Sequence, residues 1–140
     1  MKTRFFALMF ISALISLPIA AQKASSVELS FNYEKQGGAG SNQWAVWIEN
    51  SKGEVVRTLY VSSFTTKGRG SANGQRRRGY TFRPTCVPTW VKNAKAEEMT
   101  DEQIDAVTGA TPSQSGIQTY TWDFKDADGK DVPAGDYKIY

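Results

Sequence analysis

Apolar and polar residues alternate along five stretches of this chain, the pattern of half-buried strands. In residues 26–33, Val27, Leu29, Phe31 and Tyr33 share one face and polar residues the other. Residues 43–49 set Trp44, Val46 and Ile48 on one side and Ala45 and Trp47 on the opposite one. Residues 55–64 are rich in β-branched and aromatic side chains, which suit a pleated surface. Residues 117–124 oppose Gln118, Tyr120, Trp122 and Phe124 to Ile117, Thr119, Thr121 and Asp123, and residues 132–140 read as the last strand.

Between these stretches the chain carries turn chemistry. Gln36-Gly37-Gly38-Ala39-Gly40-Ser41-Asn42 is a flexible turn, and Asn50-Ser51-Lys52-Gly53 and Asp126-Ala127-Asp128-Gly129 are tight ones. Residues 65–81, rich in Gly, Ser, Asn and Arg, read as a long loop of the kind that is often functional. Pro84 and Pro88 bracket Cys86, and Trp90-Val91 begins a short helical turn. Residues 100–107 predict a short helix. Thr100 caps it, Gln103 reaches back to complete a capping box, and Asp101 and Glu102 meet the helix dipole in the first turn. Gly109 is expected to end that helix in a left-handed conformation. Together these elements predict an all-β fold, an immunoglobulin-like β-sandwich with one short helix. Five strands are fewer than a complete sandwich has, and Tyr140 falls inside an alternating run. The chain is therefore read as C-terminally truncated.

Residues 1–21 change that picture only at its start. Lys2 and Arg4 precede an apolar run that ends in Ile19-Ala20-Ala21, the order of a cleaved secretory signal peptide. Residues 22–140 are then one secreted, periplasmic β-sandwich domain with no stable membrane insertion. The net charge of +3 includes Lys2 and Arg4; without them 15 basic residues face 14 acidic ones. That balance gives no general argument for nucleic acid. The charges are segregated, however: nine basic residues and no acid lie between Val55 and Ala96, and ten acids against two lysines lie from Glu97 to Asp136. The single Cys86 excludes an internal disulfide and is expected to be a buried apolar residue.

The chain has no histidine, which removes Ser-His and Cys-His catalysis and histidine-ligated metal or haem. No catalytic constellation remains, so the chain is not expected to be an enzyme. Asp101 and Asp105, one helical turn apart, would suit acid–base work or a solvated helix face equally well. Arg76, Arg77, Arg78 and Arg83, with Arg69, form a candidate anion-binding loop, or a solvated one. Asp123, Asp126, Asp128 and Asp131 depart from calcium-loop spacing and read as turn residues, so no metal site is expected.

One stretch carries a sharper signal. In Asp105-Ala106-Val107-Thr108-Gly109-Ala110-Thr111 an acid is followed by two variable residues, a small hydroxyl residue, Gly, Ala and a Thr. This resembles the site at which bacterial flavin transferases attach FMN to a threonine through a phosphoester. The resemblance makes Thr111 the candidate covalent FMN acceptor, with Asp105, Thr108, Gly109 and Ala110 as its recognition residues. Pro112 departs from the usual continuation of such sites. The alternative is a helix C-terminus followed by an extended X-Pro turn.

Two wider resemblances follow. Tyr120-Thr121-Trp122-Asp123, Asp126-Ala127-Asp128-Gly129 and Val132-Pro133-Ala134-Gly135-Asp136-Tyr137 look like the closing hairpin of the immunoglobulin-like domain in flagellar hook-capping proteins. From Val27 through the Arg-rich loop, Trp90, the Thr-Gly-Ala-Thr-Pro segment and that hairpin, the chain resembles Domain of Unknown Function 2271, a family of predicted periplasmic proteins. That family implies secretion and gene neighbours such as flavin transferases and membrane-anchored reductases. It thus implies an accessory or binding module linked to flavin-dependent extracytoplasmic electron transfer or iron reduction. The alternative is a structural or assembly protein of hook-capping type that binds other periplasmic proteins.

Overall fold

A computed structural model describes residues 26–37, 42–68 and 83–140. The expected signal peptide and residues 69–82 of the Arg-rich segment lie outside the described residues.

The described chain is β-rich. The strands are β1 (Val27–Tyr33), β2 (Ala45–Asn50), β3 (Val55–Ser62), β4 (Thr108–Gly109), β5 (Gly116–Trp122) and β6 (Tyr137–Ile139). They form two sheets: antiparallel β1 with β5, and a four-stranded sheet in the order β4-β3-β2-β6. β2 and β3 are a hairpin closed by Asn50. Its Oδ1 accepts from the backbone N–H of Lys52 and Glu54, and Gly53 takes the positive φ of 78° that the turn requires. β2 is a central strand, and Ala45 through Glu49 are all buried, as a strand covered on both faces must be.

The two faces of β2 and β3 are covered differently. Ala45 and Trp47 pack with Val61, Trp90, Val91, Ala96 and Ile104, so one face lies against helices. Trp90 is fully buried, and its indole N–H is satisfied by Thr58 Oγ1 at 3.0 Å. Toward the β1–β5 pair lies an aromatic layer. Trp44 contacts Phe31, Tyr33 and Tyr60 at centroid distances of 6.2, 5.0 and 5.5 Å, and Tyr60 contacts Tyr120 at 5.1 Å. The Trp44 indole N–H donates to the Tyr120 hydroxyl at 3.0 Å, which joins the two sheets by a polar contact as well.

Among the described residues three helices are present, where one helix and a helical turn at Trp90-Val91 were expected. α1 (Ser63–Thr66) follows β3 directly, α2 (Pro88–Asn93) contains Trp90, and α3 (Asp101–Val107) is the predicted capped helix. Short 3₁₀ turns cover Pro84–Cys86 and Ala96–Glu98. β3 thus ends two residues earlier than its β-branched and aromatic composition suggests. Lys67 and Gly68 donate to the carbonyls of Ser63 and Phe64, and Gly68 at φ 65° ends the turn. The last strand is also shorter than expected. The Val132 N–H still donates to the Phe124 carbonyl at 2.9 Å, but residues 133–136 lie outside any strand: Pro133 has no N–H to give a ladder, and its carbonyl accepts from the Tyr137 hydroxyl at 2.7 Å. Cys86 is half-buried rather than buried.

The closing hairpin forms around Asp126. Its Oδ1 accepts from the N–H of Asp128 and of Lys130, each at 2.9 Å, and Gly129 sits at φ 78°. Trp122, buried, packs against Phe124 and Tyr137 and donates to the Lys125 carbonyl.

Candidate functional site

The seven residues of the flavin-acceptor pattern run from the last turn of α3 through β4 into the following loop. Helix α3 starts on the capping box read from the sequence: Thr100 Oγ1 accepts from Gln103 N–H at 3.3 Å, and Gln103 Oε1 accepts from Thr100 N–H at 2.8 Å. Asp105, half-exposed on that helix, makes an ion pair of 2.7 Å with Lys67 just beyond α1. Asp105 is therefore joined to a base rather than standing as a lone carboxylate.

Thr108 is held by a directed chain of hydroxyls. Its Oγ1 donates to the Ile104 carbonyl at 2.6 Å, which uses its only proton. The 2.9 Å contact with Thr66 Oγ1 then has Thr66 as donor. This chain ties α1 to the end of α3.

Gly109 does not take the left-handed conformation expected of a helix-terminating glycine. It is extended and pairs in parallel with Ser62, as Thr108 pairs with Val61. Its lack of a side chain has another cause: a Cβ there would meet the Tyr60 ring, 2.5 Å from Cδ2. The Tyr60 hydroxyl then donates to the Ala110 carbonyl at 3.0 Å. Burial pushes the Tyr60 and Tyr120 phenols above their usual value of 10.0, so both stay protonated at neutral pH.

Thr111 follows. The residue is half-buried, and its Oγ1 is buried with no hydrogen-bond partner among the described residues. Only Thr65 Oγ1 shares that state among described residues whose side chains have no other polar contact. A buried hydroxyl without a partner is unusual and calls for an explanation.

Of the candidate anion loop, Arg83 is described, and Arg76, Arg77 and Arg78 lie outside the described residues. Arg83 is exposed, its N–H donates to the Thr65 carbonyl at 2.7 Å, and its guanidinium lies 4.9 Å from the Phe64 ring centroid. Gly68 and Arg83, which flank residues 69–82, are thus both held at α1, beside Thr66 and Thr108. The acidic residues of the closing hairpin do not converge: Asp126 is committed to its turn, while Asp128 and Asp131 approach Lys130 and Lys125. Among the described residues no group of three or more His, Cys, Asp or Glu could hold a metal ion.

Two residues that sequence reasoning missed shape this region and its neighbour. Tyr60 organises the Gly109–Ala110 segment from a strand distant in sequence, and no local pattern announces that. Glu49 is a buried carboxylate whose Oε1 accepts from Trp47 Nε1 and Asn93 Nδ2, each at 2.8 Å. The Trp47 bond is the largest influence and holds its carboxyl below the usual 4.5, with burial opposing. Its signal was available: Glu49 continues the inward phase of Ala45 and Trp47.

The described residues form a β-rich fold of two sheets joined by an aromatic layer. The chain belongs to the family of predicted periplasmic proteins described as Domain of Unknown Function 2271, whose model matches residues 24–140. No curated protein and no solved structure matches the chain. No helix among the described residues is long and apolar enough to cross a membrane.

Proposed function

We propose that this periplasmic protein is an accessory module of flavin-linked electron transfer or iron reduction, not itself an enzyme, and that Thr111 is the residue to which a flavin transferase esterifies FMN. One observation carries the reading. The hydroxyl at the acceptor position of a complete motif is one of two threonine hydroxyls that are buried without a partner among the described residues. The neighbouring motif residues have structural employment, Thr108 in its hydroxyl chain and Gly109 against Tyr60; Thr111 Oγ1 has no partner among the described residues.

The chemistry asks little of the chain itself. Thr111 Oγ attacks the FMN phosphorus of a flavin adenine dinucleotide, the phosphoanhydride bond breaks, adenylate leaves and the hydroxyl proton passes to a base of the transferase. Because Oγ1 points inward, the segment after Gly109 must turn outward first. That segment makes no strand pairing beyond Gly109, and the Tyr60–Ala110 bond is its nearest anchor. Bound FMN supplies one- and two-electron transfer; the partners of this reading are the transferase and a membrane reductase. The immunoglobulin-like arrangement belongs to the same proposal, with the β1–β5 pair and the four-stranded sheet as halves facing across the aromatic layer.

The test is an intact mass and an absorbance spectrum of protein purified from cells that also make a flavin transferase. An adduct of the mass of FMN, lost in Thr111→Ala, is expected. Colourless protein of unmodified mass would overturn the carrier role. That result would favour a second reading, an assembly protein of hook-capping type binding other periplasmic proteins, for which the exposure of Ile117 (75 %) on β5 is the supporting observation.

A further inference from the structure

Every recognition position of the acceptor pattern is gripped by one stretch of chain, residues 60–67, which runs from the end of β3 through α1. The Lys67 ammonium pairs with Asp105 at 2.7 Å. Thr66 Oγ1 bonds Thr108 Oγ1 at 2.9 Å. Ser62 pairs with Gly109, the Tyr60 ring stands where a Gly109 side chain would be, and the Tyr60 hydroxyl donates to the Ala110 carbonyl at 3.0 Å. We propose that these contacts form a latch that closes the acceptor site in the folded domain, so that FMN is transferred to Thr111 while β4 is detached from β3. The latch rests on the flavin reading of Thr111 and sets when that reaction can take place.

Two needs of the reaction conflict with the closed fold. Thr111 Oγ must reach the FMN phosphorus, form the ester bond and let adenylate leave, yet it is buried. A transferase that reads Asp105, Thr108, Gly109 and Ala110 must also touch groups that residues 60–67 already bond or cover. A turn of the Thr111 loop would free the hydroxyl but leave Thr108 and Gly109 inside the sheet as β4. Opening β4 meets both needs at once. After transfer, the phosphodiester places a charge on an atom that is buried in the closed form, and burying a charge without a partner is costly, so the latch stays open.

β4 is built to open. It has two residues, lies at the edge of the four-stranded sheet and pairs with β3 at two positions. Short edge elements of this kind open at a free energy below that of global unfolding. The catches that hold it differ in strength. The side chains of Lys67 and Asp105 are 32 % and 49 % exposed, so their pair contributes little. The Tyr60 hydroxyl bond is partly buried and ends on a backbone carbonyl, which makes it the stronger catch. Where opening and closing are fast and modification is slow, the rate of modification follows the population of the open form.

The test uses protein purified from cells that make no flavin transferase, mixed with a purified transferase and flavin adenine dinucleotide, and follows the FMN adduct by intact mass over time. Tyr60→Phe keeps the ring against Gly109 and removes the hydroxyl; it should raise the rate about three- to tenfold. Lys67→Met should raise it about twofold, and it keeps the test available should Tyr60→Phe fail to fold. Tyr137→Phe makes the same chemical change at β6, the opposite edge of the sheet, where the hydroxyl donates to the Pro133 carbonyl; it should leave the rate at that of the parent. Hydrogen exchange needs no transferase: the amides of residues 108–110 should exchange faster in Tyr60→Phe and Lys67→Met by the same factors, with those of β2 unchanged. Equal rates of adduct formation in the parent, Tyr60→Phe and Lys67→Met would overturn the latch and leave Thr111 as the acceptor. A rise in Tyr137→Phe equal to that in Tyr60→Phe would overturn it too, since general loss of stability would then set the rate. No adduct on the parent or any variant would remove the acceptor reading, and the latch with it.

Discussion

The ring of Tyr60 fills the space in which a side chain at Gly109 would stand, and from there its hydroxyl reaches the carbonyl of Ala110. The smallness of residue 109 is therefore a packing requirement, whatever else the segment does. Tyr60 is buried and paired with Trp44 and Tyr120, so it has little room to yield. Gly109→Ala should destabilise the fold by about 1–3 kcal/mol, the usual cost of overpacking. Urea unfolding of Gly109→Ala, Tyr60→Leu and the double variant forms a cycle, in which a coupling of at least about 0.5 kcal/mol is expected. Strictly additive losses would show that the two residues do not compete for the same space.

Where the chain's own local pattern decides the outcome, the sequence was a good guide. The β2–β3 hairpin, the alternation of β5, the Asp126 turn and the Thr100–Gln103 capping box all depend on neighbours within a few residues, and all are present. The departures arise where distant groups intervene. Residues 63–64 read as the end of a strand and 65–66 as the start of a loop, yet all four form α1, where Thr65 and Thr66 are buried and Thr66 bonds Thr108. Gly109 has the place of a helix-ending glycine, yet β3 recruits it as a strand. At the candidate site, the acceptor pattern was legible as a string; the contacts of Thr108 and Gly109 were not, because Thr66 and Tyr60 lie more than 40 residues away in the chain.

Glu49 predicts a dependence on acid. Its carboxyl is held below 4.5 by the Trp47 indole, then by Asn93, Tyr140 and the charge of Lys138, against the opposing effect of burial. A folded-state value below the unfolded one means the stabilisation is present above pH 4.5 and is lost as pH falls through the folded value. Glu49→Gln should therefore be less stable than the parent at pH 7, with the gap narrowing toward pH 3 in urea unfolding. A gap that stays constant between those two pH values would refute the assignment.

The aromatic layer predicts the opposite dependence at high pH. Tyr60 and Tyr120 are raised above 10.0 by burial, with the Ser62 and Trp44 contacts opposing. The unfolded chain then loses these protons first, so stability holds below pH 10.0 and falls as pH rises toward the folded values. In an ultraviolet titration of the phenolates, Tyr60 and Tyr120 should ionise above pH 10.0, and Tyr120→Phe should remove one of these late steps. If every tyrosine ionised together near pH 10 in folded protein, the layer would not be dry.

Trp90 is the fully buried anchor of the helical face, and its N–H has a partner in Thr58. Trp90→Ala should cost about 3–5 kcal/mol, the range for deleting a large core aromatic ring. Trp90→Phe keeps most of the packing but leaves Thr58 Oγ1 without its donor, so a smaller loss of about 1–3 kcal/mol is expected. Thermal unfolding of both variants gives the order, and a loss in Trp90→Phe equal to that in Trp90→Ala would mean the hydrogen bond outweighs the ring.

The unpartnered hydroxyls separate structure from chemistry. Thr65 is fully buried, and its Oγ1 has no hydrogen-bond partner among the described residues. Replacing a buried, unsatisfied hydroxyl by a methyl of the same shape removes a desolvation cost of about 1–3 kcal/mol, so Thr65→Val should stabilise the fold. Thr111→Val should behave in the same direction, because its Oγ1 stands in the same state. The two differ in what else they touch: under the flavin reading only Thr111→Val abolishes the FMN adduct, while Thr65→Val leaves it. A variant at position 111 that is more stable and unmodified would mean that this hydroxyl is retained against the interest of the fold. A destabilised Thr111→Val would mean instead that the hydroxyl serves the structure, and the observation on which the acceptor role rests would fall.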